Sequence, residues 1–316
     1  MVKKKISIVS SAFNEQENVE ILYQKVKEQM AKFTAIYDYE QIVLDNASTD
    51  DTAKKLREIA AQDKHFKVIL NTRNFGHIRS PYYGMLQAQG DAVINMVSDL
   101  QDPPELIPEF IKKWEEGNKI VLGQKIQAEE NGIFFMVRKF YYWLLNKAND
   151  TGAELISNFT GFGLYDKEVI EKFRQIDDPY PYLRGLVAEL GYQRAVVTYK
   201  QPLRKRGVTK NNFYTLYDMA MLGFTNHSKI PLRLATFCGF ALSALSLLLA
   251  FIYLILKLLY WNHFPLGTAP LLIAVFFFSS MQLFFIGIIG EYLGTVLTQV
   301  LHRPLVIEKE RINLNK

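Results

Sequence analysis

Residues 92–105 read Ala92-Val93-Ile94-Asn95-Met96-Val97-Ser98-Asp99-Leu100-Gln101-Asp102-Pro103-Pro104-Glu105. The run of small and branched apolar residues predicts a buried strand, which two carboxylates, an amide and a Pro-Pro step bring to an end. Asp99, Gln101 and Asp102 therefore fall at the carboxyl-terminal edge of a sheet. Ligands bind at that edge in open α/β sheets, and hard oxygen donors there suit Mg²⁺ or Mn²⁺ carrying a diphosphate. Taken alone, the same carboxylates would also serve as solvated turn and cap residues. The rest of the chain favours the ligand.

Upstream, residues 6–10 predict a short buried strand, followed by Ala12-Phe13-Asn14-Glu15 and a helical periodicity through Val19, Leu22, Val26 and Met30. A second strand at 41–44 ends in Asp45-Asn46-Ala47-Ser48-Thr49-Asp50-Asp51-Thr52, where Ser48 or Thr49 can cap a helix running through Leu56 and Ile59. A third at 67–70 runs into Asn71-Thr72-Arg73-Asn74-Phe75-Gly76-His77 and another helix. Strand and helix alternate four times, which predicts a doubly covered, Rossmann-like and mostly parallel sheet. Polar clusters at three strand ends (Asn14 with Glu15, Asp45 with Ser48, Asp99 with Gln101) describe one site. Neither G-x-G-x-x-G nor a P-loop is present, so a nucleotide here would be read by carboxylates and closed by a metal. Asp45 suits a uracil or ribose edge; Arg73 suits a phosphate or a surface ion pair.

Further strands are expected at 119–122 and 196–199, a turn or strand at 159–166 where Gly161 and Gly163 permit close approach of a ligand, and a helix at 179–191. An aromatic helical segment at 131–148 offers Phe134, Tyr141 and Leu145 for core packing, lipid or a neighbouring subunit. Arg204-Lys205-Arg206-Gly207-Val208-Thr209-Lys210 is the densest positive stretch, suited either to an anionic leaflet or to a phosphate at the lipid surface. An amphipathic helix over 211–224 belongs in the membrane interface.

The 316 residues carry a net charge of +5, one cysteine and 49% hydrophobic residues, but the average conceals a division. Residues 234–256 and 268–290 are each 23 residues without a formal charge, long enough for a hydrocarbon core of roughly 30 Å. Lys229 and Arg233 precede the first stretch and Arg303, Lys309 and Arg311 follow the second, so both ends are expected on the cytoplasmic side of an inner (plasma) membrane. The expected organisation is a soluble domain (1–210), interface helices (211–233), two spans (234–256 and 268–290) joined by an outer loop (257–267), and a cytoplasmic tail (291–316). The amino terminus has no secretory apolar run. Cys238 has no partner, no zinc spacing exists, and no nucleic-acid motif explains the basic charge.

Taken together, Phe13-Asn14-Glu15, 45–52, Asn74-Phe75-Gly76-His77, Asp99-Leu100-Gln101-Asp102-Pro103-Pro104 and Arg206-Gly207-Val208-Thr209-Lys210 make residues 6–210 resemble the family 2 glycosyltransferases of GT-A fold. With both spans included, nearly the whole chain is similar to bacterial polyprenyl-phosphate glycosyltransferases related to dolichol-phosphate mannose synthase. The resemblance implies inverting transfer of a hexose, glucose first, from a UDP-sugar to polyprenyl (undecaprenyl) phosphate, with Mg²⁺ or Mn²⁺ as cofactor. It implies a nucleotide site at Phe13, Asn14, Glu15, Asp45, Ser48 and Arg73, and a metal at Asp99 and Gln101. The acceptor phosphate falls to Arg204, Arg206 and Lys210, and catalysis to Asp99, Arg206 and Lys210 with Asp102 in reserve. A homo-oligomer and a downstream flippase complete the expected partners. Three positions depart from the family pattern: Ser11 stands for Pro, Val97 for the first Asp of Asp-x-Asp, and Ser157 for an Asp. The competing functions are a processive polysaccharide synthase, whose Gln-x-x-Arg-Trp motif is missing, and a non-catalytic binding scaffold.

Overall fold

The structure, a computed structural model, describes residues 3–126, 158–202, 221, 225, 230–260 and 268–314. The expected alternation is present: β1 (Lys4–Ala12), α1 (Val19–Ala31), β2 (Tyr37–Asp45), α2 (Thr52–Gln62), β3 (Phe66–Asn71), α3 (Gly76–Gln87) and β4 (Ala92–Val97). A 3-10 turn at Pro104–Leu106 leads into α4 (Ile107–Glu115), β5 (Ile120–Ile126), β6 (Phe159–Asp166), α5 (Lys167–Ile176), α6 (Leu183–Glu189) and β7 (Arg194–Lys200). Two long helices, α7 (Ile230–Leu259) and α8 (Thr268–Leu301), precede a last strand, β8 (Glu308–Ile312).

The eight strands form one sheet in the order β7-β5-β6-β4-β1-β2-β3-β8. Six of these eight strands run in one direction, so the expected mostly parallel sheet is present in part. The first four strands are mutually parallel, but β6 runs antiparallel to both β4 and β5, and β8 antiparallel to β3, so the sheet is mixed. A βαβ crossover forces parallel neighbours, as in β1 to β4; β8 follows the two long helices and is free to reverse.

One face carries Ile6, Ile8, Ile94 and Met96 against Leu22 and Val26 of α1 and Phe110 and Ile111 of α4. The other carries Val9, Leu44 and Val93 against Tyr82 and Met85 of α3 and Phe173 of α5. Fully burying a side chain of the size of Phe110 or Phe173 contributes roughly 1.5–3 kcal/mol. Where β5 and β6 pair, a Cβ on Gly163 would lie 2.4 Å from the Val121 carbonyl oxygen, so that glycine answers to the neighbouring strand, not to a ligand.

Two features extend the carboxyl-terminal third beyond expectation. Helix α8 continues past residue 290 to Leu301, and the expected tail returns to the soluble domain as β8. Asn313 donates to the carbonyls of Ala60 (2.7 Å) and Phe66 (2.9 Å), and Gln299 of α8 donates to Asp178 at 2.9 Å. Helices α7 and α8 are long and apolar enough to cross a membrane, and they turn side chains such as Leu247 and Leu283 outward, 75% and 70% exposed. A core helix would bury them; a lipid-facing one does not.

Candidate active site

The strand register sets the site. Ala12 of β1 lies opposite Asp45 of β2, and Ser11 opposite Val97 of β4, so three adjacent strands end at one level. Each continues into a loop holding one non-glycine residue in the left-handed region: Asn14 (φ 58°), Ala47 (φ 56°) and Leu100 (φ 62°). Such backbone is costly by about 1–3 kcal/mol per residue and collects where a ligand must be approached.

The first two loops are knitted together. Ser48 donates through its hydroxyl and its backbone N–H (3.1 Å) to the carboxylate of Asp45, while its Oγ accepts from Asn14 N at 2.9 Å. Thr49 N donates to Asn14 Oδ1 at 2.8 Å, and Glu15 N to Thr52 Oγ1 at 2.9 Å. Helix α2 starts at Thr52, beyond the expected caps Ser48 and Thr49, because those side chains are engaged with Asp45 and Asn14. Asp45 is 2% exposed. Burial pushes its carboxyl up, the bonds from Ser48 pull it down, and Asp50 adds repulsion; the net direction is upward. A buried carboxylate with oriented donors at a strand end is well suited to accept from a base or ribose edge.

Asn46 ties in the third loop through Asn71 Nδ2, 3.0 Å from its Oδ1. Arg73 follows, exposed, with its guanidinium 4.0 Å from the Phe75 ring centre. The structure thus seats Arg73 on its own loop.

At the end of β4, Gln101 N donates to Asp99 Oδ1 at 3.1 Å, so the two predicted metal-site residues are adjacent and half-buried. Val97 is 40% exposed at the position where an Asp would add a ligand. Among the described residues no group of three or more His, Cys, Asp or Glu side chains converges on a metal position. The donor set is nonetheless entirely oxygen, as Mg²⁺ and Mn²⁺ require, and Asp99 and Gln101 would hold such an ion, with substrate oxygens and water completing its shell. Bound there, the ion would neutralise charge on a departing diphosphate. A cavity of about 500 Å³ opens beside Asp99, bounded also by Asn18, Lys25, Leu100, Pro103 and Lys200.

Asp102 behaves differently from Asp99. It is 2% exposed, with Oδ2 accepting from Val97 N at 3.1 Å and Oδ1 from the Tyr199 hydroxyl at 2.8 Å. Burial pushes its carboxyl up against the pull of nearby Lys125. Lys125, at the end of β5, is a residue that sequence reasoning missed. Burial lowers its ammonium, Asp102 and Asp99 oppose that, and Arg184 of α6 adds to it. A signal existed: Gly123-Gln124-Lys125 is another polar break after an apolar run, in the pattern that marked the other strand ends. Gly161, in β6 with φ 100°, gives its carbonyl to Asn95 Nδ2 at 2.9 Å. Arg204, Arg206, Lys210 and Ser157, and the aromatic segment 131–148, lie outside the described residues.

The glycosyl transferase family 2 model matches residues 7–174, which takes in β1 to β6 and the whole strand-end cluster. Glycosyltransferase sll0501 of Synechocystis sp. is 34% identical over 303 residues, covering 96% of this chain and 94% of that protein. The bactoprenol glucosyl transferase of Shigella phage SfV is 32% identical over 308 residues, 96% of this chain and 98% of its own. Among solved structures, glucosyl-3-phosphoglycerate synthase from Mycobacterium tuberculosis superposes with a TM-score of 0.48 at 20% identity, over 70% of this chain and 78% of that one. Family membership rests on the sequence relatives. The chain belongs to glycosyl transferase family 2 and is a glycosyltransferase related to the bactoprenol glucosyl transferases.

Proposed function

We propose that this enzyme transfers a hexose, with glucose the first candidate, from a UDP-sugar to polyprenyl phosphate at the cytoplasmic membrane face, inverting the anomeric carbon. The observation that carries the reading is the extent of the match. Relatives named bactoprenol glucosyl transferases align over 96–97% of the chain, so the similarity takes in both membrane-length helices as well as the soluble domain. The return of β8 to the same sheet as β1 supports a hairpin of two spans with both ends on the domain's side.

In this reading Asp45 and Ser48, with Phe13, Asn14 and Glu15, hold the nucleotide. Asp99 and Gln101, with Mg²⁺ or Mn²⁺, face the diphosphate; Arg73 is a reserve phosphate contact. Arg204, Arg206 and Lys210 receive the acceptor phosphate. A phosphate monoester has its second pKa near 6 and is largely dianionic at neutral pH, so it attacks without a protein base, and Ser157 in place of an Asp is tolerable. Catalysis then consists of holding the two reactants together and stabilising the leaving diphosphate. Homo-oligomers are proposed as well: a Cβ on Gly287, Gly290 or Gly294 would meet open space, which leaves that stripe of α8 open to close approach by another helix. The glycosylated lipid would need a flippase to cross the bilayer.

The test is a donor screen with the purified protein in nanodiscs containing undecaprenyl phosphate. A UDP-hexose should yield a single-sugar lipid with inverted anomeric configuration by proton NMR. No transfer from any sugar nucleotide by folded protein would favour a binding scaffold, and a long polymer would favour a processive synthase.

A further inference from the structure

The loop that carries Asp99 is closed at its base by a buried carboxylate. The β4–β6 ladder stops at Asn95, so the Val97 N–H lies past the last β6 partner, and Asp102 Oδ2 accepts it at 3.1 Å. Between these two residues the chain reverses through Leu100 at φ 62°, and Gln101 N closes onto Asp99 Oδ1. Pro103 restricts Asp102 to extended backbone, which limits the directions its carboxylate can take.

The second oxygen reaches much further. Tyr199 belongs to β7, three strands away across β5 and β6, and its ring packs edge-on against Phe162 with 5.4 Å between centroids. Its hydroxyl ends 2.8 Å from Asp102 Oδ1. Burial and the Asp102 charge push the phenol well above its ordinary range, so it remains a donor at any physiological pH. Both carboxylate oxygens of Asp102 are therefore engaged inside the protein, one by the Val97 backbone and one by the Tyr199 phenol, in a residue 2% exposed.

We propose that Asp102 is a positioning residue, whose carboxylate, shared between the Val97 backbone and the Tyr199 phenol, locks the Asp99 loop to β7 and thereby presents Asp99 and Gln101 to the donor. The last clause rests on the proposed function; the lock itself does not.

The experiment uses the full chain in nanodiscs with Asp102→Asn, Asp102→Ala and Tyr199→Phe. Asparagine can accept from Val97 N through Oδ1 and donate through Nδ2 to the phenol oxygen, so it keeps the lock and deletes the charge. Hydrogen–deuterium exchange over residues 97–102 reads the lock without any ligand. Calorimetry with Mn²⁺ and UDP reads its consequence, and the pH profile of transfer from UDP-glucose is a third readout. Asp102→Asn should keep exchange, affinity and turnover within about threefold of wild type, with an unchanged pH profile. Asp102→Ala should speed exchange at 97–102 and weaken Mn²⁺–UDP binding about 30-fold or more; Tyr199→Phe, which removes one oxygen and preserves the ring, should do the same about tenfold. If Asp102→Ala fails to fold, Tyr199→Phe decides. Unchanged exchange in both Tyr199→Phe and Asp102→Ala would overturn the lock. Asp102→Asn as inactive as Asp102→Ala, with wild-type exchange, would assign the carboxylate to chemistry instead. Wild-type protein that binds no UDP would defeat the donor reading while the exchange result still stands.

Discussion

The two edges of the central sheet use buried carboxyl groups in opposite ways. Toward the amino-terminal edge, Glu40 of β2 is 1% exposed and receives the Lys67 ammonium, the Ser7 hydroxyl and the Gln89 backbone N–H. Burial alone would raise its carboxyl, but those three donors outweigh it and hold the group below its ordinary value. At the carboxyl-terminal edge, Asp45 and Asp102 are equally buried, yet burial prevails and both are pushed up. The left-handed residues Asn14, Ala47 and Leu100 lie at that edge. One edge is arranged for stability. The other holds strain and incompletely compensated charge, as expected where a ligand completes the arrangement.

The largest expected effects come from exchanging damage between the edges. Asp99→Ala should lower kcat/KM for sugar transfer by about 10²–10³-fold, the scale of removing one electrostatic stabiliser, with little change in the melting midpoint. Glu40→Ala should do the reverse, costing about 3–5 kcal/mol by stranding Lys67, whose side chain is 14% exposed, while the folded fraction keeps its turnover. Turnover and thermal melts on the same two preparations check both, and the contrast fails if either variant loses activity and stability together.

Asp45→Asn sharpens the comparison within one residue. Asparagine still accepts the Ser48 N–H through Oδ1, turns Nδ2 as a donor to the Ser48 hydroxyl oxygen, and carries no charge into a site that disfavours it, so stability should rise by roughly 0.5–1 kcal/mol. UDP affinity should fall about 10- to 100-fold, the scale of hydrogen bonds to a charged group. A variant that loses stability would show that the carboxylate is well compensated after all.

The pH dependence follows with opposite signs. Because the fold holds Glu40 below 4.5, its contribution is fully present above that value and is lost as pH falls through the lower folded value. Asp45 and Asp102 are raised above 3.8, so theirs is present below 3.8 and lost as pH rises through the folded values. Melting midpoints measured from pH 6 down to pH 3.5 should fall at the acid end, and Glu40→Gln should flatten that fall. An unchanged acid limb would remove Glu40 from the account.

Much of this organisation was legible in the chain. Local periodicity gave β1 to β4 and their helices, and the abrupt apolar-to-polar breaks after Ala12, Leu44 and Val97 marked the strand ends that form the site. Contacts distant in sequence were not legible. Pro103 is the local feature that sets Asp102 apart from Asp99, but the contact of Asp102 with Tyr199 is not written in it, and the polar break at Lys125 joins the site only because β5 lies near β4. The antiparallel pairing of β6 with β4 and β5 joins residues distant in sequence, which periodicity does not encode. Strand β8 reads Glu308-Lys309-Glu310-Arg311-Ile312, a charged sequence with no apolar alternation, and is held by pairing with β3 and by side-chain ties.

Those ties give the smallest prediction and a third term for the comparison. Arg57 of α2 meets Glu310 at 2.7 Å, and both side chains are more than 40% exposed. Hydrogen bonding to Glu310 raises the Arg57 guanidinium, but solvent and salt screen so open a pair. The bonds of Asn313 to the Ala60 and Phe66 carbonyls are part-buried by contrast. Arg57→Ala should therefore cost no more than about 0.5 kcal/mol, a difference that vanishes in 0.5 M salt, with transfer unchanged. Asn313→Ala, which strands backbone acceptors, should cost about 1 kcal/mol and show no salt dependence. Melts of the two variants at low and high salt separate these outcomes. A larger loss from Arg57→Ala than from Asn313→Ala would mean that charge, not backbone pairing, fastens β8 to the domain.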